Sequence, residues 1–204
     1  AEIAAICRRA AERFTELGAV VVHDRCPDLS KATEVFTVLR AESFVAARAP
    51  LLERHREQMK PEVVWNIERG MQLGAGEIGA AERERGLMQR RMAELLADHD
   101  LLLCPTAIVP PFPIQQRYVE ELQGHRFPSY IDWVAITYAL TLTGCPVLSL
   151  PCGFTETGLP VGLQLVGPPR GEAKLLALAA RLEEVLGVTP KAPIDPRPAA
   201  EPRP

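Results

Sequence analysis

The sequence predicts an α/β fold, and three observations carry that expectation. A helical apolar repeat at Ile3, Ile6, Cys7, Ala10, Phe14 and Leu17 ends at Gly18 and leads straight into the β-branched run Ala19–Val22, the helix-to-strand step of a layered domain. The later runs Leu101–Cys104, Pro146–Leu150 and Val161–Val166 are apolar at most positions and on both faces, so they read as strands covered on both sides. The prolines are lopsided: of 19, three fall in residues 1–100 and sixteen in 101–204, which separates a helical first half from a second half of strands and stiff turns.

Each element has its own reason. Gly18 suits the position that closes a first helix. Residues 28–49 read as a second helix, with Asp28 and Ser30 as competing N-caps and Pro50 as its stop. Pro61 fits the first turn of a third, where its missing donor costs nothing; Val64, Ile67 and Met71 continue it until Gly70, Gly74, Gly76 and Gly79 weaken it. A charged helix over 80–97 places Leu87, Met88, Arg91 and Leu95 on one side and ends at Asp98-His99-Asp100, ahead of strand 101–104. Pro105, Pro110, Pro111 and Pro113 make 105–117 a loop with a stiff path. Ser129 can cap a helix over 130–143 that stops at Gly144. Runs 146–150 and 161–166, joined through Glu156-Thr157-Gly158, read as an antiparallel hairpin or a close variant. An amphipathic helix, Gly171–Leu186, closes at Gly187, and six prolines leave 190–204 as a tail without a packed element. The division expected is therefore 1–189, with 1–100 mainly helical and 101–189 carrying the strands and last helix, followed by the tail 190–204. Four apolar strands with so few neighbours read as part of a larger sheet.

Composition excludes several function classes. With 47% hydrophobic and 24% charged residues the chain is of ordinary globular make-up, and its length suits one domain or a large piece of one. A net charge of −3 with scattered basic residues argues against nucleic acid as a partner. The apolar runs fall far short of the about 20 residues a membrane span needs, so no membrane insertion is expected. No basic and apolar leader pattern opens the chain, so no signal peptide is expected at Ala1. Five cysteines without a CxxC pair and four scattered histidines match no metal-site spacing. No cofactor is implied either, and reduced thiols used as small apolar residues point to the cytoplasm.

The second half carries a more specific pattern. Asp100-Leu101-Leu102-Leu103-Cys104-Pro105-Thr106 is followed by Leu142-Thr143-Gly144-Cys145-Pro146, by Leu148-Ser149-Leu150-Pro151-Cys152-Gly153-Phe154, and by the run Gly158-Leu159-Pro160-Val161-Gly162-Leu163-Gln164-Leu165-Val166-Gly167. In order and spacing these segments resemble the amidase signature family of serine hydrolases. Glu172-Ala173-Lys174-Leu175-Leu176 resembles the start of that family's last helix, and residues 1–100 match in pattern only. The resemblance implies a three-layer α/β/α fold with a mixed sheet, of which this chain is the C-terminal portion. It implies an enzyme that hydrolyses a small-molecule amide with a Lys, a cis-Ser and a nucleophilic Ser. None of these can be placed here: Ser30, Ser43, Ser129 and Ser149 have no adjacent Ser or Gly-rich flank, and Lys31, Lys60, Lys174 and Lys191 lie in helical or tail segments. The triad is then expected upstream, in a missing N-terminal part of the same polypeptide, and this chain alone is expected to be inactive. The alternatives are a non-catalytic α/β binding module or a glutamyl-tRNA amidotransferase A-type subunit; a homodimer is compatible with either.

The resemblance places the acyl pocket beside Cys104, Pro105, Thr106, Ile131, Asp132 and Trp133. That position agrees with the rule that ligands sit beyond the carboxyl ends of strands. Asp132-Trp133 can equally be a helix-start acid beside a core aromatic, and both readings stay open. Cys152 reads as a structural turn residue, Ser149 as a core or ladder residue, and His125 as a solvated side chain. The glycines of 158–167 read as fold residues, since no helix N-terminus or Lys-Ser/Thr follows to hold a phosphate.

Overall fold

The structure is a computed structural model, and it describes residues 2–188; the proline tail expected over 190–204 lies outside the described residues. The first helix, α1 (Glu2–Glu12), forms as the repeat dictates, with Ile3, Ile6, Cys7 and Ala10 buried along one side. A 3₁₀ turn over Arg13–Leu17 carries it to Gly18, whose φ of 82° is the left-handed closure that glycine allows.

The β-branched run that follows is not a strand. Ala19–Val22 has no ladder partner among the described residues: Val21 rests on the core while Val20 and Val22 are 88% and 51% exposed. Propensity favours extended backbone there, but a strand needs a neighbour to pair with.

Helix α2 (Ala32–His55) runs through Pro50 instead of stopping at it. The lost backbone bond costs about 3 kcal/mol, and burial of Leu52 further along the helix helps hold the continuation. Neither expected cap serves: Asp28 Oδ1 accepts the Ser30 N–H at 3.0 Å, a turn ahead of the helix, and Lys31 stands at its entry. Helix α3 (Pro61–Met71) starts on its proline as expected. Helix α4 (Ala75–Asp98) starts five residues earlier than the charge pattern suggests and includes Gly76 and Gly79. Its first turn is built on Gly74, whose carbonyl accepts the Glu77 and Ile78 N–H groups and whose N–H donates to Glu77 Oε2 at 3.2 Å. The buried face is Ala81, Met88, Met92 and Leu96, rotated from the expected stripe, so Leu87 is exposed and Arg91 reaches Glu84 at 3.0 Å.

Strand β1 (Leu102–Pro105) is half-buried along its length, less covered than an apolar run suggests. A small hairpin, β2 (Glu121–Leu122) and β3 (His125–Arg126), turns through Gln123 and Gly124, both with positive φ as a type I′ turn requires. Its strands are too short and too polar to register as an apolar run. Asp132–Val134 form a 3₁₀ turn before α5 (Ala135–Leu142), which is shorter than the 130–143 expected; Ser129 does not cap it, and its N–H instead donates to Asp132 Oδ2. Strand β4 (Val147–Phe154) outlasts the expected 146–150, taking up Cys152 with an irregularity between Pro151 and Gly153. Strand β5 (Pro160–Val166) and helix α6 (Glu172–Leu186), closed by Gly187 at φ 61°, complete the described chain.

The sheet order is β1-β5-β4, with both pairings antiparallel; Leu103 faces Leu165 and Leu150 faces Leu163 in the ladders. Alternation along β5 makes three layers. Val161, Leu163 and Leu165 pack with Leu150 and Cys152 against α1 and α6, through Ile3, Ile6, Leu175, Ala179 and Leu182. Val166 and its neighbours Leu102 and Cys104 pack on the opposite face against Met92, Leu96 and Leu140 of α4 and α5. Leu165 and Val166 are each 0% exposed, which a strand achieves only when both faces are covered. Among the described residues no helix is long and apolar enough to cross a membrane.

Candidate functional site

The end of β1 is held from β5 and β4 at once. The Thr106 N–H donates to the Gly162 carbonyl at 2.9 Å, and Gln164 Nε2 donates to the Pro105 carbonyl at 2.9 Å. Thr106 Oγ1 and Ser149 Oγ share a hydrogen bond of 2.7 Å, and the Thr137 hydroxyl of α5 reaches the Thr106 carbonyl at 3.4 Å. Gln164 is only 4% exposed, so its amide is a structural donor, committed to the chain where that chain leaves the sheet. Gly162 makes this possible: a Cβ there would lie 2.7 Å from Thr106 Oγ1 and 3.0 Å from Ser149 Oγ. On this face Val147, Ser149 and Pro151 are open, because α4 and α5 cover the sheet beneath β1 and β5 and leave β4 bare. Thr106, Thr137 and Ser149 therefore form an accessible polar ledge.

The second half of the candidate site comes from the 3₁₀ turn. Asp132 Oδ2 accepts the Ser129 N–H at 3.0 Å and thereby fixes the turn. The Trp133 indole donates to the Tyr130 carbonyl at 3.1 Å and meets Phe112, in the proline-rich loop, edge-on at 5.5 Å between ring centroids. That ring pair and the Thr137–Thr106 bond tie the two halves together. Trp133 and Thr106 are thus connected through the proline-rich loop and α5. Cys104 turns into the cluster of Met92, Leu96 and Val166, and Ile131 packs on the cluster around Val35, Met88 and Tyr138. Asp132 spends its carboxylate on the backbone.

Cys104 and Cys152 sit where burial disfavours a thiolate. Burial is the main cause that pushes the Cys104 thiol up to about 12, with Gln164 opposing only weakly. Cys152, in a strand and not in the expected turn, lies 3.9 Å from Cys7 sulfur to sulfur. That contact first, and burial second, push Cys152 up, while the same contact lowers Cys7. Ser149 has no histidine, lysine or carboxylate bonded to it among the described residues, and Lys174 is engaged with Asp100. Two surface concavities, one beside Arg8, Arg9 and His23 and one along α2 beside Arg69, do not touch the candidate residues. No cluster of metal ligands occurs among the described residues. The sequence alone does not single out Gly162, Ser149 and Thr137 as partners of Thr106, or Gln164 as the partner of Pro105; the hint was polar Gln164 between Leu163 and Leu165, which a buried strand tolerates only with a partner.

The family model described as Amidase matches residues 1–176. The chain belongs to the amidase family. Among curated amidase relatives, the A-type subunit of the glutamyl-tRNA(Gln) amidotransferase of Synechococcus sp. (strain CC9902) is 30% identical, aligned over 96% of this chain and 44% of its own length. An acylamidase of Rhodococcus erythropolis is 29% identical over 95% of this chain and 41% of its own. A crystal structure of an amidase superposes with a TM-score of 0.79 at 30% identity, covering 90% of this chain and 42% of that one. A bacterial aryl acylamidase of the amidase signature family, 23% identical with a TM-score of 0.76, shares the fold. This amidase chain spans roughly two-fifths of the length of the curated relatives it matches.

Proposed function

We propose that residues 1–189 are the C-terminal portion of an amidohydrolase that cleaves a carboxylic amide, with its Ser–cis-Ser–Lys machinery upstream of Ala1. The observation that carries this is the pairing of a family match over 1–176 with two-fifths coverage of the relatives, in a chain whose Ser149 lacks a base. In this reading the chain completes the sheet and walls the acyl pocket with Pro105, Thr106 and Trp133, backed by Cys104, Ile131 and Asp132. The clamp from Gly162, Gln164 and Ser149 fixes where that wall stands. Five free thiols, two of them buried, fit a reducing cytoplasm. The similarity to the A-type component of an amidotransferase favours a second reading, a glutaminase-type enzyme that works beside a partner.

The deciding experiment assays the full-length polypeptide for hydrolysis of acyl amides and anilides and for glutaminase activity. Amide hydrolysis without glutaminase activity supports the first reading, glutaminase activity the second, and neither activity sinks both. The 204-residue chain alone should show no turnover; activity that survives repurification and disappears on Ser149→Ala or Cys152→Ala overturns the upstream triad. Trp133→Ala in the full-length enzyme should change relative kcat/KM among acyl chain lengths. Equal losses for every acyl group, with a lowered Tm, would instead make Trp133 a core residue.

A further inference from the structure

Phe36, Arg40 and Phe44 recur four residues apart on α2 and so share one face of it. The guanidinium carbon of Arg40 lies 5.7 Å from the Phe36 ring centroid, 5.2 Å from that of Phe44 and 5.5 Å from that of Tyr130. These rings are themselves anchored. Phe36 stacks on Tyr138 at 4.2 Å and 4°, and the Tyr138 hydroxyl shares a 2.8 Å hydrogen bond with Thr33. The Tyr130 hydroxyl accepts from Asn66 Nδ2 at 2.8 Å, and Asn66 is 3% exposed.

Contacts of a guanidinium with aromatic rings use none of its N–H donors as conventional hydrogen bonds, so those donors remain for acceptors. Among the described residues nothing uses that edge: no carboxylate lies within 4.0 Å of Arg40 and no hydrogen bond takes up its donors. No fully buried side-chain nitrogen in the described residues lacks a partner, so these donors reach solvent although Arg40 is half-buried. Arg48, 4.6 Å from the Phe44 centroid, adds a second positive charge without an ion pair there. The box also adjoins the candidate pocket, since the Tyr130 carbonyl holds the Trp133 indole.

We propose that Arg40, in its box of Phe36, Phe44 and Tyr130, binds a carboxylate through the bidentate edge of its guanidinium. The aromatic walls suit a carboxylate on an apolar or aromatic body. Assigning that group to the substrate, as the acid end of the amide the enzyme cleaves, rests on the amidase reading; the binding itself does not.

The probe is benzoate, with benzyl alcohol as a neutral counterpart of similar size, titrated into the full-length polypeptide by equilibrium dialysis. Saturable benzoate binding that benzyl alcohol does not match is expected. Arg40→Gln should weaken it roughly tenfold or more, as loss of charge-assisted hydrogen bonds does, and Arg40→Lys, with charge but no fork, should fall between. Absence of saturable benzoate binding, equal binding of benzyl alcohol, or unchanged affinity in Arg40→Gln overturns the proposal. Melting curves check that the variants fold; if Arg40→Gln does not, Arg40→Lys decides, and unchanged affinity there overturns it equally. No turnover is read, so failure here leaves the amidase reading standing, and failure of hydrolysis leaves this site standing.

Discussion

Gly162→Ala tests the clamp on the end of β1. The added methyl would sit 2.7 Å from Thr106 Oγ1, 3.0 Å from Ser149 Oγ and 3.1 Å from Thr106 Cβ. Rotating one hydroxyl does not relieve all three contacts, so the Thr106–Ser149 bond breaks and the β1 turn moves. Overpacking of this kind costs about 1–3 kcal/mol and a lost hydrogen bond about 1 kcal/mol. Restricting the unfolded chain returns roughly 0.4–1 kcal/mol, since the φ of Gly162 is not positive. The net loss is about 1–3 kcal/mol, which in a chain of this size lowers Tm by roughly 3–10 °C. The assay is urea and thermal unfolding of four proteins: wild type, Gly162→Ala, Thr106→Ala and the double variant. With the Thr106 hydroxyl gone, Gly162→Ala should cost about 1 kcal/mol less than in the wild-type background. Additive costs, or a Tm for Gly162→Ala at or above wild type, would refute the clamp.

Three further outcomes are expected. Burial raises the Cys104 thiol from 9.0 to about 12, so its stabilisation is whole below pH 9 and drains away between pH 9 and 12, by up to about 1.4 kcal/mol per pH unit; in urea midpoints Cys104→Ala should lose less over that window than wild type does. Gly70→Ala should be among the most damaging substitutions, because its Cβ would meet the Ala41 carbonyl oxygen of α2 at 2.2 Å, whereas Gly86→Ala, with open space around it, should gain about 0.5–1 kcal/mol in the same unfolding assay. Leu182→Ala, fully buried between α6 and the sheet, should cost about 2–5 kcal/mol in denaturant unfolding without changing which helices form by circular dichroism.

What the residues disclose by themselves is local. The repeat of Ile3, Ile6 and Cys7, the closures at Gly18 and Gly187 and the pairing of 146–150 with 161–166 follow from periodicity and turn chemistry, and the structure has them all. The misses share a cause in long-range packing. Val20 and Val22 favour a strand but have no pairing partner among the described residues; Pro50 should break a helix but Leu52 is buried beyond it; Leu87 fits a stripe that Met88 and Met92 pull round to the other side. The candidate site was legible only as an address, Pro105-Thr106 at the end of a strand. Its supports, Gly162, Gln164 and Ser149, lie about 40–60 residues away in sequence and look like ordinary strand residues until the sheet brings them beside Thr106.

The place of β5 in the sheet has a consequence for how the chain is made. As the central strand it is also the last of the three to leave the ribosome, and α1 buries Ile3, Ile6 and Cys7 largely against β4 and β5. At about 5–20 residues per second, roughly 8–30 s separate the synthesis of that helix from the arrival of the surface it covers. For that interval its greasy side has no permanent home. The β4–β5 hairpin, whose halves emerge together, is then the natural nucleus onto which both β1 and the waiting helix settle.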